Sequence, residues 1–387
     1  MTYDFNERID RSRTNSLKWE LLPKNGNPMW VADMDFATAP AVREAVERRA
    51  VHGVFGYSVI PKEWQQSYVL WWKNRYHFEM QRDWLSFTTG VIPAISTAIR
   101  KFTTPAEKVI IQTPVYNIFF NCIINNGRRV LENELRYENG SYRMDFADLE
   151  EKMADPLCTM MLLCNPHNPT GNIWSKDDLA RIGELAQKHH VLVVADEIHC
   201  DLTDPGKVYV PYASVSDICR EHAIITLAPS KAFNIAGLGT ACVCVPEKGL
   251  RERMVRAINT DEVAEPNAFA VDAAVAAYTR GGQWLDDLRD YIFENKKVVR
   301  AFLTNNLPQI HLVPSEATYL LWLDCSRLEE HDSETLQKRI LDRTGLRLNA
   351  GYTYGECGRS FLRMNIACPK EQLYDGLKRF KEGLDGL

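Results

Sequence analysis

Long apolar runs are missing from this sequence, and none approaches the ~20 residues a helix needs to cross a bilayer. A membrane partner is therefore not expected. Charge of one sign is missing too: 46 Lys and Arg stand against 51 Asp and Glu, a formal net charge of −5. With a pI near 6.0 and no long basic block, nucleic acid is a poor partner. Ten cysteines are spread singly, with only Cys242 and Cys244 close together. No CxxC pair points to zinc or a redox dithiol, so no metal site is expected. Several cysteines, Cys164, Cys242 and Cys244 among them, sit in apolar runs where a thiol acts as a small core hydrophobe. Met1 to Ser16 is charged and carries no apolar stretch, so no secretory signal is expected and the reading is a reduced, cytoplasmic protein. Repeats, low-complexity tracts and flexible linkers are lacking as well.

What is present is enough chain for two units. At 387 residues the sequence exceeds the roughly 250–300 at which single cores stop growing, so two domains with a cleft between them are expected. Several short apolar runs end in chemically expressive residues. Lys108 to Pro114 leads to Tyr116, and Thr159 to Cys164 runs into the Asn- and Pro-rich turn Asn165 to Gly171, which holds Asn168. Val191 to Ala195 ends in Asp196 and His199, and Ala223 to Ala228 leads to Ser230 and Lys231. Strand and helix patterns alternate through residues 105–245, which argues for a mostly parallel α/β sheet. In such sheets ligands lie beyond the carboxyl ends of the strands.

Each of these residues also has a plain reading. Lys231 is one solvated lysine among many, Asp196 a cap or a salt-bridge partner, and Tyr116 a half-buried aromatic. A carboxylate ending a buried run, however, costs several kcal/mol unless a cation meets it. Plain readings of the Asn168 turn, of Asp196 with His199 and of Lys231, all coinciding on one sheet edge, carry less weight than a single site. Gly90 opens a helix pattern (Ile92, Ile95, Ala98, Ile99, Phe102) with Pro93 in its first turn. Such an N-terminus suits a phosphate, although many helices start this way and bind nothing.

Elsewhere, helices are expected over 40–52, 61–78 and 175–190, the last capped by Ser175. Residues 120–150 read as short strand-like and polar segments, with a helix starting near Asp145. Met29 to Phe36 is either a wall of a binding site or a strand edge with turn-forming aspartates. Residues 248–306 read as helical. After Leu312 come strands at 319–323 and 361–366 and helices at 333–344 and 369–385, a smaller α+β unit. Arg363 lies in the second of those strands, where an exposed arginine is the plain alternative. The units expected are an N-terminal segment, 1–45, packing with the small domain; a large cofactor-binding domain, 46–280; and a C-terminal small domain, 281–387.

A phosphate cradle, a stacking tyrosine, a buried carboxylate, a constrained asparagine and a lysine together describe a pyridoxal 5'-phosphate site. In such a site the lysine holds the aldehyde and the carboxylate keeps the ring nitrogen protonated. Asp196 is the candidate for that carboxylate, and Asn168 and His199 are placed to bond the ring hydroxyl.

Asn165-Pro-His-Asn-Pro-Thr-Gly171, Asp196-Glu-Ile-His199 and Ser230-Lys231 resemble fold-type I pyridoxal phosphate enzymes of the aminotransferase class I/II superfamily. Within it the sequence is more similar to the MalY/PatB family of carbon–sulfur β-lyases, also called cystathionine β-lyase-like. That similarity runs through Ile9 to Trp19, Trp30 to Phe36, Gly56-Tyr57, Gly90 to Pro93, Pro114 to Tyr116, Lys231 to Gly237 and Arg363 to Pro369.

The resemblance implies a large α/β/α domain plus a smaller α+β domain, with Lys231 as the Schiff-base lysine and Tyr116 stacked on the ring. It implies that Gly90, Val91, Ile92 and Ser230 hold the phosphate, and that Arg363, with Asn168 and Ala32, binds the substrate. Tyr57 is implied to arrive from the neighbouring subunit of a homodimer, and it shares with Lys231 and Tyr116 the possible proton transfers.

Aminotransferases of the superfamily typically carry Tyr three residues after the aspartate and Arg eight after the lysine; here these positions are His199 and Gly239. Ala228 and Val91 stand where relatives often have a hydroxyl. The implied activity is α,β-elimination from cystathionine or another cysteine S-conjugate, giving a thiol, pyruvate and ammonia. An aminotransferase, or a MalY-like regulator that binds a transcription activator, is the alternative.

Overall fold

The apolar runs become strands because both faces of the sheet they form are covered. The computed structural model describes residues 3–386. Met1, Thr2 and Leu387, at the ends of the expected N- and C-terminal units, lie outside the described residues.

Seven strands make the main sheet: β1 (Leu85–Thr88), β2 (Lys108–Ile111), β3 (Arg129–Glu132), β4 (Cys158–Cys164), β5 (Leu192–Asp196), β6 (Ala223–Leu227) and β7 (Ala241–Cys244). They are ordered β1-β7-β6-β5-β4-β2-β3. Only β7 runs against its neighbours, β1 and β6; the other pairings are parallel. Alternate side chains therefore serve two cores. Val109, Ile111, Met160, Leu162, Val194, Ile224 and Val243 pack under the helices Val91–Phe102, Ile118–Asn125 and Lys248–Thr260. Ile110, Met161, Leu163, Val193, Ala195 and Ile225 face the opposite layer, which includes Pro40–His52, Lys62–Tyr76, Lys176–Lys188 and Ala270–Arg280.

Local signals set the helix ends. Ser175 Oγ accepts from Asp178 N at 3.0 Å while the Asp178 carboxylate accepts from Ser175 N at 3.2 Å, a reciprocal cap. Gly53 stops the Pro40–His52 helix in the left-handed region at φ 76°. One segment departs from its strand-like reading: Ile118–Asn125 is a helix. Parallel β2 and β3 need a crossover, and Phe119, Cys122 and Ile123 recur at helical spacing on its buried face.

The second sheet holds β8 (His311–Leu312), β9 (Leu320–Asp324), β10 (Asn349–Ala350) and β11 (Phe361–Asn365), ordered β8-β9-β11-β10 and antiparallel. Helices Ser333–Thr344 and Lys370–Leu384 pack together beside it. The chain's N-terminal region runs against this part of the molecule. Asn27–Pro28 pairs with Leu346–Arg347, and Met29 O accepts from Asn365 N at 2.9 Å.

The two-sided sheet predicts which positions tolerate truncation. Leu162, 1% exposed in the centre of β4, is expected to cost about 2–5 kcal/mol as Leu162→Ala. Ile124→Ala, at a 60% exposed helix position, is expected to change stability by less than about 0.5 kcal/mol. Chemical denaturation followed by tryptophan fluorescence checks the contrast.

Candidate active site

The carboxyl ends of β2, β4, β5 and β6, together with the helix that follows β1, bring most of the sequence-predicted residues to one place. β5 ends in Asp196, whose Oδ1 accepts from Ile198 N at 3.1 Å. Among the described residues Asp196 makes no ion pair. Burial pushes its pKa up to about 7, held back by that amide and by Lys231. His199 sits in the turn just beyond. Burial, aided by Lys231 and Arg363, pushes its pKa down to about 3, so the ring is neutral. Its Nδ1 is buried without a partner among the described residues.

After β6 the chain closes a tight turn, with Phe233 N donating to Pro229 O at 2.9 Å and Ile235 N to Ser230 O at 3.0 Å. Lys231 leaves this turn and its Nζ donates to Ala32 O at 2.7 Å. Burial and the Arg363 charge push the lysine down to about 8, against the opposing pull of Asp33 and Asp196. Beyond β4, the turn 165–171 is closed by Gly171 N donating to His167 O at 2.7 Å. His167 Nε2 lies 2.8 Å from Pro114 O, which ties this turn to the loop carrying Tyr116. Asn168 Oδ1 accepts from Arg363 Nη1 at 3.1 Å, and Trp30 O accepts from Nη2 at 2.8 Å. Arg363 is buried in β11, its guanidinium 4.9 Å from the centre of the Tyr354 ring. The exposed-arginine alternative therefore fails.

A cavity of about 190 Å³ is lined by Ala32, Gly90, Val91, Ile92, Tyr116, Asn168, Asp196, His199, Ser230 and Lys231. Gly90 caps the helix Val91–Phe102, whose first-turn amides have no partner inside the helix. Burial pushes the Tyr116 phenol up to about 12, so it keeps its proton. Tyr57 is not brought here; it is 99% exposed elsewhere on this chain. Thr89, Cys164, Gly239 and Thr240 also line the cavity, and sequence reasoning gave none of them a role in it. A lone threonine carries no pattern, yet the Thr240 hydroxyl is buried without a partner among the described residues. Gly239 has φ +57°, and a Cβ there would sit 3.3 Å from Thr89 O, so an arginine at this position is strained.

The segment from Trp30 to Phe36 does form a wall, through its carbonyls and not its aspartates. Trp30 O meets Arg363, while Ala32 O meets Lys231 and, at 3.0 Å, Tyr319 Oη. Asp33 and Asp35 instead pair with Arg11 and Lys18. Neither reading of this stretch anticipated that, because the partner cations lie 15 or more residues away in sequence. Two larger hollows, of about 690 and 720 Å³, lie beside the N-terminal segment and beside Trp64. The displaced titrations of Asp196, His199 and Lys231 gather at the small one.

Residues 29–380 match the model of the family described as aminotransferase class I and II. Cystathionine beta-lyase PatB of Bacillus subtilis is 40% identical over 98% of this chain and all of its own length. Protein MalY of Escherichia coli is 33% identical over 97% of each chain. Among solved structures, cystalysin from Treponema denticola, which contains a pyridoxal 5'-phosphate cofactor, superposes with a TM-score of 0.96 at 33% identity over 99% of both chains. The chain therefore belongs to the aminotransferase class I and II family, among the relatives of PatB and MalY.

Proposed function

We propose that the protein is a pyridoxal-phosphate-dependent carbon–sulfur β-lyase. With one water, it cleaves cystathionine or another cysteine S-conjugate to a thiol such as homocysteine, pyruvate and ammonia. One observation carries the reading: buried Asp196 and Lys231 line one cavity without contacting each other, while Arg363 makes no ion pair among the described residues. The residues present fit the cofactor. His199 Nδ1 and Thr240 Oγ1, on residues that line the cavity, are buried without a partner among the described residues, and a polar ligand there would satisfy them. Asp196, raised to about 7, lacks a cation that a protonated ring nitrogen would supply.

In this reading Lys231 would hold the cofactor aldehyde and Asp196 the ring nitrogen, with Tyr116 against the ring face. Asn168 and His199 would meet the ring hydroxyl. The first-turn amides at Gly90, Val91 and Ile92, with the Ser230 hydroxyl, would hold the phosphate. When bound, pyridoxal phosphate supplies a sink for the electron pair left at Cα after deprotonation. Arg363 grips the substrate α-carboxylate from its position on Asn168 and Trp30 O. Lys231 Nζ, with a pKa of about 8, is poised to take the Cα proton near neutral pH. The thiolate leaves from Cβ and receives a proton from Lys231 or from the Tyr116 phenol.

Tyr57 stands in a run of exposed apolar residues with Val54, Phe55 and Val59. That supports a homodimer in which this tyrosine reaches the neighbour's site. No helix among the described residues is long and apolar enough to cross a membrane, and ten unpaired cysteines suit a reducing cytoplasm.

Purified protein given cystathionine is expected to release pyruvate without a keto acid; amino transfer that depends on a keto acid would make it an aminotransferase instead. Lys231→Ala is expected to lose the cofactor's lysine-bound absorption band and to lower turnover by roughly 10²–10⁴-fold or more. Arg363→Lys is expected to raise KM by roughly 10- to 100-fold, since hydrogen bonds to charged groups contribute about 1.5–3 kcal/mol. A catalytically dead Lys231→Ala that kept a cellular phenotype would favour a regulatory role.

A pH prediction concerns the cofactor-free protein. Asp196 has its pKa raised from 3.8 to about 7 on folding, so its contribution to stability is complete below about pH 4 and lost as pH rises through 7. Asp196→Asn is expected to flatten that decline between pH 5 and 8 in thermal denaturation while weakening cofactor binding. A variant that declines as steeply as the parent would remove Asp196 from this role.

A further inference from the structure

Two stretches, Ile9 to Trp19 and Trp30 to Phe36, meet in one charge cluster, buried at Lys18 and Asp35 and half-buried at Arg11 and Asp33. Lys18, 1% exposed, donates to Asp35 Oδ2 at 2.7 Å and to Asp33 O at 3.2 Å. Arg11 reaches Asp35 Oδ1 at 2.7 Å, Asp33 Oδ2 at 2.8 Å and Met34 O at 3.0 Å. Trp19 Nε1 and Gln372 Nε2 complete the shell of Asp35 at 2.8 and 3.0 Å. Asp35 thus accepts from four different side chains while 3% exposed. Two cations and two anions cancel, so the cluster adds no net charge.

The cluster's geometry runs on into the site. Asn365 Nδ2, from β11, donates to Val31 O and Asp33 O. Asn234, three residues past Lys231, accepts from Met34 N at 3.0 Å and donates to Met34 O and Phe36 O. The Trp30 carbonyl just before these anchors and the Ala32 carbonyl among them receive Arg363 and Lys231. A segment without regular hydrogen-bonded secondary structure is thereby fixed from both sides.

We propose that Arg11, Lys18, Asp33 and Asp35 are positioning residues of the reaction. Their cluster holds residues 30–34 so that the Ala32 carbonyl anchors the free Lys231 amine and the Trp30 carbonyl orients Arg363. The proposal rests on the β-lyase reading for what these two side chains do. The cluster's role is to set where Arg363 stands before the substrate arrives and where the Lys231 amine rests whenever it is not joined to the cofactor.

The test separates placement from stability. Removing one charge of a buried pair strands the other, whereas removing both relieves that penalty. The holoenzyme of the double variant Lys18→Met/Asp35→Asn is therefore compared with each single variant and with the parent. The double variant is expected to melt close to the parent yet to show at least a 10-fold lower kcat/KM for pyruvate release, with KM raised. In the cofactor-free protein, amides of residues 30–36 are expected to exchange at least 10-fold faster, while those of β4 are unchanged. The pH midpoint for acylation of Lys231 by an amine-reactive reagent is expected to shift by about half a unit or more.

A double variant with kcat/KM within twofold of the parent, or with parent-like exchange over 30–36, overturns the proposal. Should the double variant fail to fold, Trp19→Phe removes one donor from Asp35 and no charge. It is expected to move the same readouts in the same direction by roughly 2- to 5-fold; no movement overturns the proposal equally. Absence of pyruvate from the parent itself would sink the β-lyase reading, and the exchange and acylation measurements would then decide the positioning role without it.

Discussion

A carboxylate buried at position 196 with no cation in contact is the constraint that the rest of the site answers. Removing such a charge from water costs several kcal/mol unless a partner compensates. In this chain the one amide from Ile198 does not suffice, and the group is held near 7. The lysine able to neutralise it is drawn away to the Ala32 carbonyl. With Arg363 beside Asn168 at its edge, the site sets two cations against one carboxylate, a balance that suits a phosphate and an α-carboxylate. A ring nitrogen that carries a proton is the remaining complement.

This arrangement follows from the sheet. Parallel strands send their carboxyl ends to one edge, and the helix after β1 opens there as well, so side chains more than 100 residues apart in sequence converge without any long-range signal in the sequence. The runs ending at Cys164 and Ala195 were legible because each is apolar and stops abruptly at a polar residue, and the run to Ala228 because it breaks at Pro229 just before Ser230 and Lys231. The Ser175 cap and the opening of the helix after Gly90 were legible because helix ends have their own residue chemistry.

Other parts were not legible, for physical reasons. The Ile118–Asn125 helix is rich in residues that suit strands, and only the need to cross from β2 to β3 decides its form. The aspartates at 33 and 35 look like turn formers or ligands until Arg11 and Lys18 are brought against them, and local pattern cannot report a pairing made by tertiary packing. Tyr319, Asn365 and Asn234 act by holding backbone, a role that residue type does not report even where, as for both asparagines, the residue stands in a recognisable stretch. The position of Gly239 was visible, but not its consequence. A left-handed backbone there disfavours an arginine, so any hold on a phosphate falls to amides and hydroxyls, with the buried Thr240 Oγ1 beside them.

The two sets of cations are treated in opposite ways. Arg11 and Lys18, which belong to the scaffold, are given carboxylates and are thereby neutralised. Lys231, which lines the cavity, and Arg363, which bonds the cavity residue Asn168, are given neutral acceptors: the Ala32 carbonyl for the lysine, an amide oxygen of Asn168 and the Trp30 carbonyl for the arginine. A neutral acceptor fixes the direction of a guanidinium or an amine while leaving its charge uncompensated, and a carboxylate would fix it and cancel it. Had Asp33 or Asp35 turned inward, the site would be better satisfied and worse at attracting an anionic substrate. The scaffold cations keep both aspartates occupied, so the site's own charge remains available for what binds there.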